Sequence, residues 1–96
     1  MRNMAIALNG GTPALRNAIT NLFSSRRWAQ WHWIDDFWIV QTPDDYTPKL
    51  LQNEIEALPL VGNQTMLVFE FQGRINFWGR AQKAAWDWLK HIGSAK

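Results

Sequence analysis

The chain has 96 residues, a formal net charge of +2, 47% hydrophobic residues and 19% charged residues. That length closes one hydrophobic core, and the composition is that of a globular protein, so we expect a single domain over residues 1–96. The absence of cysteine excludes disulfides, thiolate catalysis and cysteine metal sites. No apolar run reaches the length of a signal peptide or membrane span, so we expect a cytoplasmic protein with no membrane partner.

The first third of the chain predicts a strand followed by a helix. Residues 3–8 are apolar and predict a buried strand that ends in the turn at 9–11. Thr12 followed by Pro13 is typical of a helix start, because threonine caps the free amides and proline lacks the amide that would go unpaired. Apolar residues then recur at helical spacing, and the arginines at 26–27 suit the negative end of the helix dipole.

The middle of the chain predicts an aromatic β-hairpin. Residues 28–34 and 37–42 are rich in aromatic and β-branched side chains, and the turn at 35–36 is short and acidic. Alternation places Trp31 and Trp33 on one face of the first of these strands. Because the hairpin is apolar on both faces, we expect it to be covered on more than one side.

The last part of the chain predicts a second helix, a strand and a third helix. Thr-Pro at 47–48 repeats the helix start. Residues 66–71 predict a strand, and 75–78 predict a short fifth strand or an extended connection. Residues 80–92 predict a helix that Gly93 caps.

This order of elements describes an α+β fold. Strand, helix, strand, strand, helix, strand is the order of a ferredoxin-like βαββαβ sandwich, in which two helices cover one antiparallel sheet. Right-handed crossovers give the strand order 4-1-3-2. The third helix is then a C-terminal addition.

Four segments carry a resemblance to a known family: WHWIDDFWIVQT at 31–42, TPKL at 47–50, MLVFEFQG at 66–73 and WDWL at 86–89. The chain resembles the small ferredoxin-like proteins of the SinR family, which are related in fold to the VapD toxins and to the small CRISPR-associated endoribonuclease and integration subunit. The resemblance implies a homodimer and, in some members, metal-dependent RNA cleavage by an aspartate at the end of the first strand. Asn9 stands nearest that position. An amide cannot supply the charge that holds magnesium or activates water, so we expect no enzymatic activity and no cofactor.

The loop before the first helix is a candidate anion site. Gly10, Gly11 and Thr12 lie at a helix N-terminus, where free amides could hold a phosphate or carboxylate, although a plain tight turn needs the same residues. Asp35 and Asp36 fall at the same end of the predicted sheet. They are candidate ligands of a divalent ion or, alternatively, plain turn residues.

The opposite end of the predicted sheet is basic. Arg26, Arg27 and Arg74 lie there with Trp28, and cations beside an aromatic ring suit single-stranded nucleic acid. The carboxylates at 44–45 reach the same end and could instead neutralise the arginines in ion pairs.

Seven tryptophans are more than a core of this size needs. We assign four of them to an aromatic core under the third helix: Trp31, Trp33, Trp38 and Trp88. The other three are assigned to a binding surface: Trp28, Trp78 and Trp86. Tryptophan and arginine are enriched at binding hot spots. We therefore expect a homodimeric, non-catalytic module that binds a protein partner, as a phage or mobile-element inhibitor does. The alternative is a nucleic-acid-binding or weakly active endoribonuclease relative of the family.

Overall fold

The computed structural model describes the backbone of residues 1–72, 76–77, 79–92 and 94–95, and the side chains of residues 1–72 and 79–91. The chain is a small α+β protein with a four-stranded sheet and three helices. Its elements are, in order, β1 (Arg2–Asn9), α1 (Pro13–Ser25), β2 (Gln30–Ile34), β3 (Phe37–Thr42), α2 (Pro48–Glu56), β4 (Thr65–Phe71), β5 (Asn76–Phe77), α3 (Lys83–Ile92) and β6 (Ser94–Ala95).

The two Thr-Pro helix starts are confirmed. The hydroxyl oxygen of Thr12 accepts from the Leu15 amide at 3.2 Å, and that of Thr47 accepts from the Leu50 amide at 3.1 Å. Each helix has proline at its first position. These starts were predictable because a cap needs only residues close in sequence.

The four strands β1 to β4 form one antiparallel sheet in the order β2-β3-β1-β4, which is the predicted order read from the other edge. β1 lies in the interior, where Ile6 is opposite Trp38 of β3 and Val68 of β4. β2 and β4 are the two edges of this sheet. A separate pair, β5 and β6, is parallel and two residues long.

Each face of the sheet has its own hydrophobic core, as the two apolar faces of the hairpin predicted. The inner face is covered by α1 and α2, and its buried residues are Met4, Ile6, Leu8, Trp38 and Val40 from the sheet, with Leu15, Ile19, Phe23, Leu51 and Ile55 from the helices. On the outer face, Trp31 and Ile39 pack with Ala85 and Leu89 of α3. The third helix therefore covers the side of the sheet that the first two leave open.

The predicted core of four indoles under the third helix was wrong for two of its members. Trp38 is fully buried, but on the inner face, because its neighbour Ile39 pairs with Trp31 and alternation turns Trp38 to the other side. Trp33 is 46% exposed. Trp31 of the sheet and Trp88 of α3 do lie in the outer core, as predicted.

The third helix is shorter than predicted. α3 begins at Lys83 and not at residue 80, and the Gln82 carbonyl accepts from the amides of Ala85 and Trp86 at its start. Gly93, the predicted cap, lies outside the described residues. Of the helices that the structure describes, none has the length and apolar content needed to cross a bilayer.

Candidate functional site

The outer core fixes the position of α3 on the hairpin. The indole Nε1 of Trp31 donates to the carbonyl oxygen of Ala85 at 3.1 Å, and the Trp31 ring meets Phe37 edge-on at 6.2 Å between ring centroids. Trp31 is 6% exposed. A buried indole needs a partner for its N–H, and here that partner belongs to the helix that covers it.

A bulge at the end of β2 turns an apolar side chain toward α3. Trp31 pairs with Ile39, but Ile34 pairs with Phe37, so the register shifts by one residue between the two pairs. Directly paired residues share a face of the sheet, which puts Ile34 on the outer face with Phe37. Strict alternation would have put Ile34 on the inner face. Ile34 is 57% exposed there, beside the exposed Trp33.

Between this end of β2 and α3 lies an apolar crevice of about 170 Å³. We call it the hairpin crevice, and its lining residues are Trp31, Ile34, Gly79, Arg80, Ala81, Trp86 and Leu89. Arg80 is the one charged side chain among them. The crevice thus combines two indoles, three aliphatic side chains and a guanidinium.

The candidate anion loop at residues 10–12 is hydrogen-bonded to a carboxylate of the same chain, that of Asp36. The Gly11 amide donates to Oδ2 of Asp36 at 3.4 Å, and Nε of Arg16 donates to Oδ1 of the same carboxylate at 2.9 Å. Thr12 is the helix cap, and Gly10 takes a positive φ of 80° that favours glycine. An external anion at this loop would compete with Asp36.

The candidate metal ligands are paired with an arginine. The Arg16 guanidinium lies 2.9 Å from Asp36 and 3.9 Å from Asp35, and it lowers the pKa of Asp36. In the part of the chain that the structure describes, no three histidine, aspartate or glutamate side chains are grouped to hold a metal ion. The end of the sheet near Asn9 is therefore held by an internal ion pair.

At the opposite end, Arg26 and Trp28 are in contact as predicted. The Arg26 guanidinium lies over the Trp28 ring at 5.5 Å from its centroid, and it donates to Glu54 at 3.2 and 3.3 Å and to the Tyr46 hydroxyl at 2.8 Å. The Tyr46 hydroxyl donates in turn to Glu54 at 2.9 Å. We call these four side chains the Arg26 cluster. Glu54 raises the pKa of Arg26 and neutralises its charge, a role for which residues 44–45 were the alternative that the sequence offered.

The Trp28 ring is held by the end of α1. The Trp28 amide donates to the Phe23 carbonyl at 3.1 Å and the Arg27 amide to the Ser24 carbonyl at 3.0 Å, which is the Schellman pattern of a helix end. The rings of Trp28 and Phe23 stack at 6.2 Å, and Tyr46 meets Trp28 edge-on at 4.9 Å. The Trp28 ring thus contacts Arg26, Phe23 and Tyr46, and its backbone amide is hydrogen-bonded at the end of α1.

The remaining predicted site residues are spread over the molecule. Arg27 is exposed, with a left-handed φ of 57°. Trp86 lines the hairpin crevice, away from the Arg26 cluster. Arg74 and Trp78 lie outside the described residues. Sequence reasoning missed Ile34 and Arg80, since the bulge that exposes Ile34 depends on cross-strand register.

Comparisons with known proteins give no family for this chain. No protein-family model matches it, and no curated protein or solved structure shows significant similarity to it.

Proposed function

We propose that this chain is a non-catalytic protein-binding module that contacts its partner through the hairpin crevice. The observation that carries the proposal is the pair of exposed apolar residues, Trp33 and Ile34, at the end of β2, where Ile34 lines a crevice that also contains two further indoles. Large apolar side chains that remain exposed in a cluster mark interaction sites. Tryptophan and arginine are the residue types that most often carry binding energy.

The crevice sits on a rigid base. Trp31 is buried and hydrogen-bonded to α3, while Ala85 and Leu89 hold the helix to the sheet. A binding surface that is already ordered loses less entropy when the partner arrives. This favours the crevice over the basic end, where the Trp28 ring is engaged by Arg26, Phe23 and Tyr46.

We further propose that the scaffold is of the ferredoxin-like class and related to the SinR-like proteins that the sequence resembles. The alternating order of β1, α1, β2, β3, α2 and β4 and the strand order of the sheet support the fold class. Asn9 at the end of β1 supports a non-catalytic relative, because its amide lacks the charge of a metal-binding carboxylate.

The proposal is tested by co-purification from lysate of the native host with nuclease-treated and untreated samples. We expect a protein partner that still co-purifies after nuclease treatment and no longer co-purifies with the Trp33→Ala or Ile34→Asp variant. Leu60→Asp is the matched control, because Leu60 is 47% exposed and lies outside the crevice. Circular dichroism establishes that each variant is folded.

Two outcomes would contradict the proposal. One is a set of co-purified proteins that does not change when Trp33 or Ile34 is replaced. The other is binding that disappears with nuclease treatment, which would point to nucleic acid. A true hot spot loses about 2 kcal/mol or more on truncation, so the effect on a purified complex should exceed a tenfold rise in Kd.

A further inference from the structure

The guanidinium at the hairpin crevice is unpaired within the described part of the chain. Arg80 is exposed and lines the crevice, and it forms no ion pair with another residue that the structure describes. Lys83, three residues further on, is paired with Asp87 at 2.7 Å. An exposed arginine beside apolar rings is able to donate two parallel hydrogen bonds to a carboxylate that arrives from outside.

The charges of the chain are divided between the two sides of the crevice. Residues 79–91, which include most of α3, carry three arginine or lysine side chains and one aspartate. Residues 1–72 carry five arginine or lysine side chains and seven carboxylates. The α3 side of the crevice is therefore positive on a body that is net negative, and an acidic partner is steered to it.

The acidic turn next to Ile34 does not cancel the charge of Arg80. Asp35 and Asp36 do not line the crevice, and both carboxylates face another cation. The Arg16 guanidinium lies 3.9 Å from Asp35 and 2.9 Å from Asp36. The charge that a bound partner meets at the lining of the crevice is therefore that of Arg80.

The size of the crevice limits what can enter it. Sites for cofactors and other drug-sized molecules measure about 300–1,000 Å³, whereas an apolar cavity of about 150 Å³ holds a molecule the size of benzene. The hairpin crevice, at about 170 Å³, therefore matches one large aliphatic or aromatic side chain. Its indole rings, Ile34 and Leu89 supply the apolar contacts for such a group.

We propose that the hairpin crevice recognises a peptide segment of the partner in which a large apolar residue is flanked by a carboxylate. The apolar side chain enters between Ile34 and α3, and an aspartate or glutamate beside it pairs with Arg80. The crevice is the one already assigned to the partner, so the inference rests on the proposed function and names the chemistry of that partner. A single arginine favours a carboxylate over a phosphorylated side chain, since phosphopeptide sites use clusters of arginines.

Selection from a random peptide library displayed on phage, with the full chain held in solution, tests both contacts. We expect the enriched peptides to carry a leucine, isoleucine or phenylalanine with an aspartate or glutamate a few positions away. Arg80→Glu should keep the apolar residue and change the charged one to lysine or arginine. Lys49→Glu makes the same charge change at an exposed position of α2 and should select the same peptides as wild type. Ile34→Asp should enrich none of them.

The outcomes distinguish the chemistry of the partner from the location of the site. Enrichment that does not depend on Ile34 would place peptide binding elsewhere, and both proposals would fail. Three other results would overturn the acidic partner alone: no enrichment by wild type, enrichment that depends on Ile34 without an acidic preference, or an acidic preference that Arg80→Glu retains. Circular dichroism establishes that each variant is folded.

Synthetic versions of an enriched peptide measure the two contacts separately by fluorescence anisotropy. Alanine in place of the apolar residue of the peptide should raise Kd about tenfold or more. Arg80→Met should raise Kd about two- to fivefold, because an exposed ion pair contributes little free energy, and this difference should shrink at about 1 M salt. An equal Kd for wild type and Arg80→Met at low salt would overturn the proposed ion pair. So would a phosphoserine peptide that binds about tenfold more tightly than the acidic one, since it would assign the crevice to phosphorylated segments.

Discussion

Nε of Arg16 lies 2.9 Å from Oδ1 of Asp36 and ties the first turns of α1 to the turn between β2 and β3. The same guanidinium donates to the Gly11 carbonyl at 3.0 Å, while the Gly11 amide donates to Asp36. The loop before α1 and the start of α1 are thereby joined to the distant β2–β3 turn at one end of the sheet. The sequence predicted an anion site at this loop, and in the structure the Asp36 carboxylate is the anion that contacts the loop.

Gly11 is required by the closeness of this contact. A Cβ at position 11 would lie 2.3 Å from Oδ1 of Asp36 and 2.9 Å from a methyl carbon of Leu8. We expect Gly11→Ala to lower the free energy of unfolding by about 1–3 kcal/mol, measured by urea denaturation. Gly62→Ala is the control, because its Cβ would meet nothing closer than 3.6 Å, and it should be neutral or stabilising by about 0.4–1 kcal/mol. Equal effects of the two variants would show that the contact at Gly11 is not tight.

The Arg16–Asp36 ion pair should make stability depend on pH. Arg16 lowers the pKa of Asp36 below its usual value of 3.8. A carboxyl whose folded-state pKa is lowered stabilises the protein above its unfolded pKa, and the contribution is lost as the pH falls through the folded value. We expect Asp36→Asn to be less stable than wild type at about pH 7, with a difference that shrinks toward about pH 3.

Urea denaturation across that pH range measures the Asp36 effect. Asp45→Asn is the control, because Asp45 is exposed and enters none of the ion pairs that the described residues form. Its difference from wild type should be small throughout. A deficit of Asp36→Asn that stays constant or grows in acid would contradict the assigned role of the carboxylate.

The phenol of Tyr46 reports on the Arg26 cluster, since the chain has one tyrosine. Burial and the Glu54 carboxylate raise the pKa of Tyr46 above 10.0, while Arg26 acts in the opposite direction. We expect ultraviolet titration of the folded protein to show an elevated pKa. Glu54→Gln should lower it and Arg26→Met should raise it further, whereas Glu56→Gln on the exposed side of α2 should leave it unchanged. Shifts of the same sign in the first two variants would contradict the geometry.

Arg27 occupies a position that favours glycine. It is the left-handed residue of the Schellman turn, with φ 57°, and a side chain there costs about 1–2 kcal/mol of backbone energy. Glycine removes this backbone cost but loses more conformational entropy on folding, which offsets part of the gain. We therefore expect Arg27→Gly to raise the free energy of unfolding by about 0.5–1 kcal/mol. Arg27→Ala removes the same charge but keeps the Cβ, so it should show no such gain. A gain in both variants would trace the effect to charge instead of backbone.

Features set by neighbouring residues were predictable from the sequence. Thr12 and Thr47 cap the helices that follow them, and the strand order follows from the order of elements and the hand of the crossovers. The assignment of Trp31 and Trp38 to one core was wrong, because the two indoles lie on opposite faces of the sheet.

Features set by distant residues were not predictable. Glu54 meets Arg26 across 28 positions, and Asp36 meets Arg16 across 20, where several carboxylates were equally plausible partners. The placement of Ile34 on the outer face depends on a register shift in the hairpin that the local sequence pattern does not reveal. The candidate binding surface rests on that shift, which is why its position emerged only from the fold.

The two neighbouring indoles of β2 should differ sharply in what they contribute to stability. Trp31→Phe removes the hydrogen bond to Ala85 and leaves a smaller ring in the outer core, so we expect a loss of about 1.5–3 kcal/mol in the free energy of unfolding. Trp33→Phe changes an exposed ring and should stay within about 0.5 kcal/mol of wild type. Urea denaturation followed by circular dichroism gives both values without relying on the replaced fluorophores. If Trp33→Phe cost as much as Trp31→Phe, Trp33 would be part of the folded core, and the surface assigned to protein binding would lose its most exposed indole.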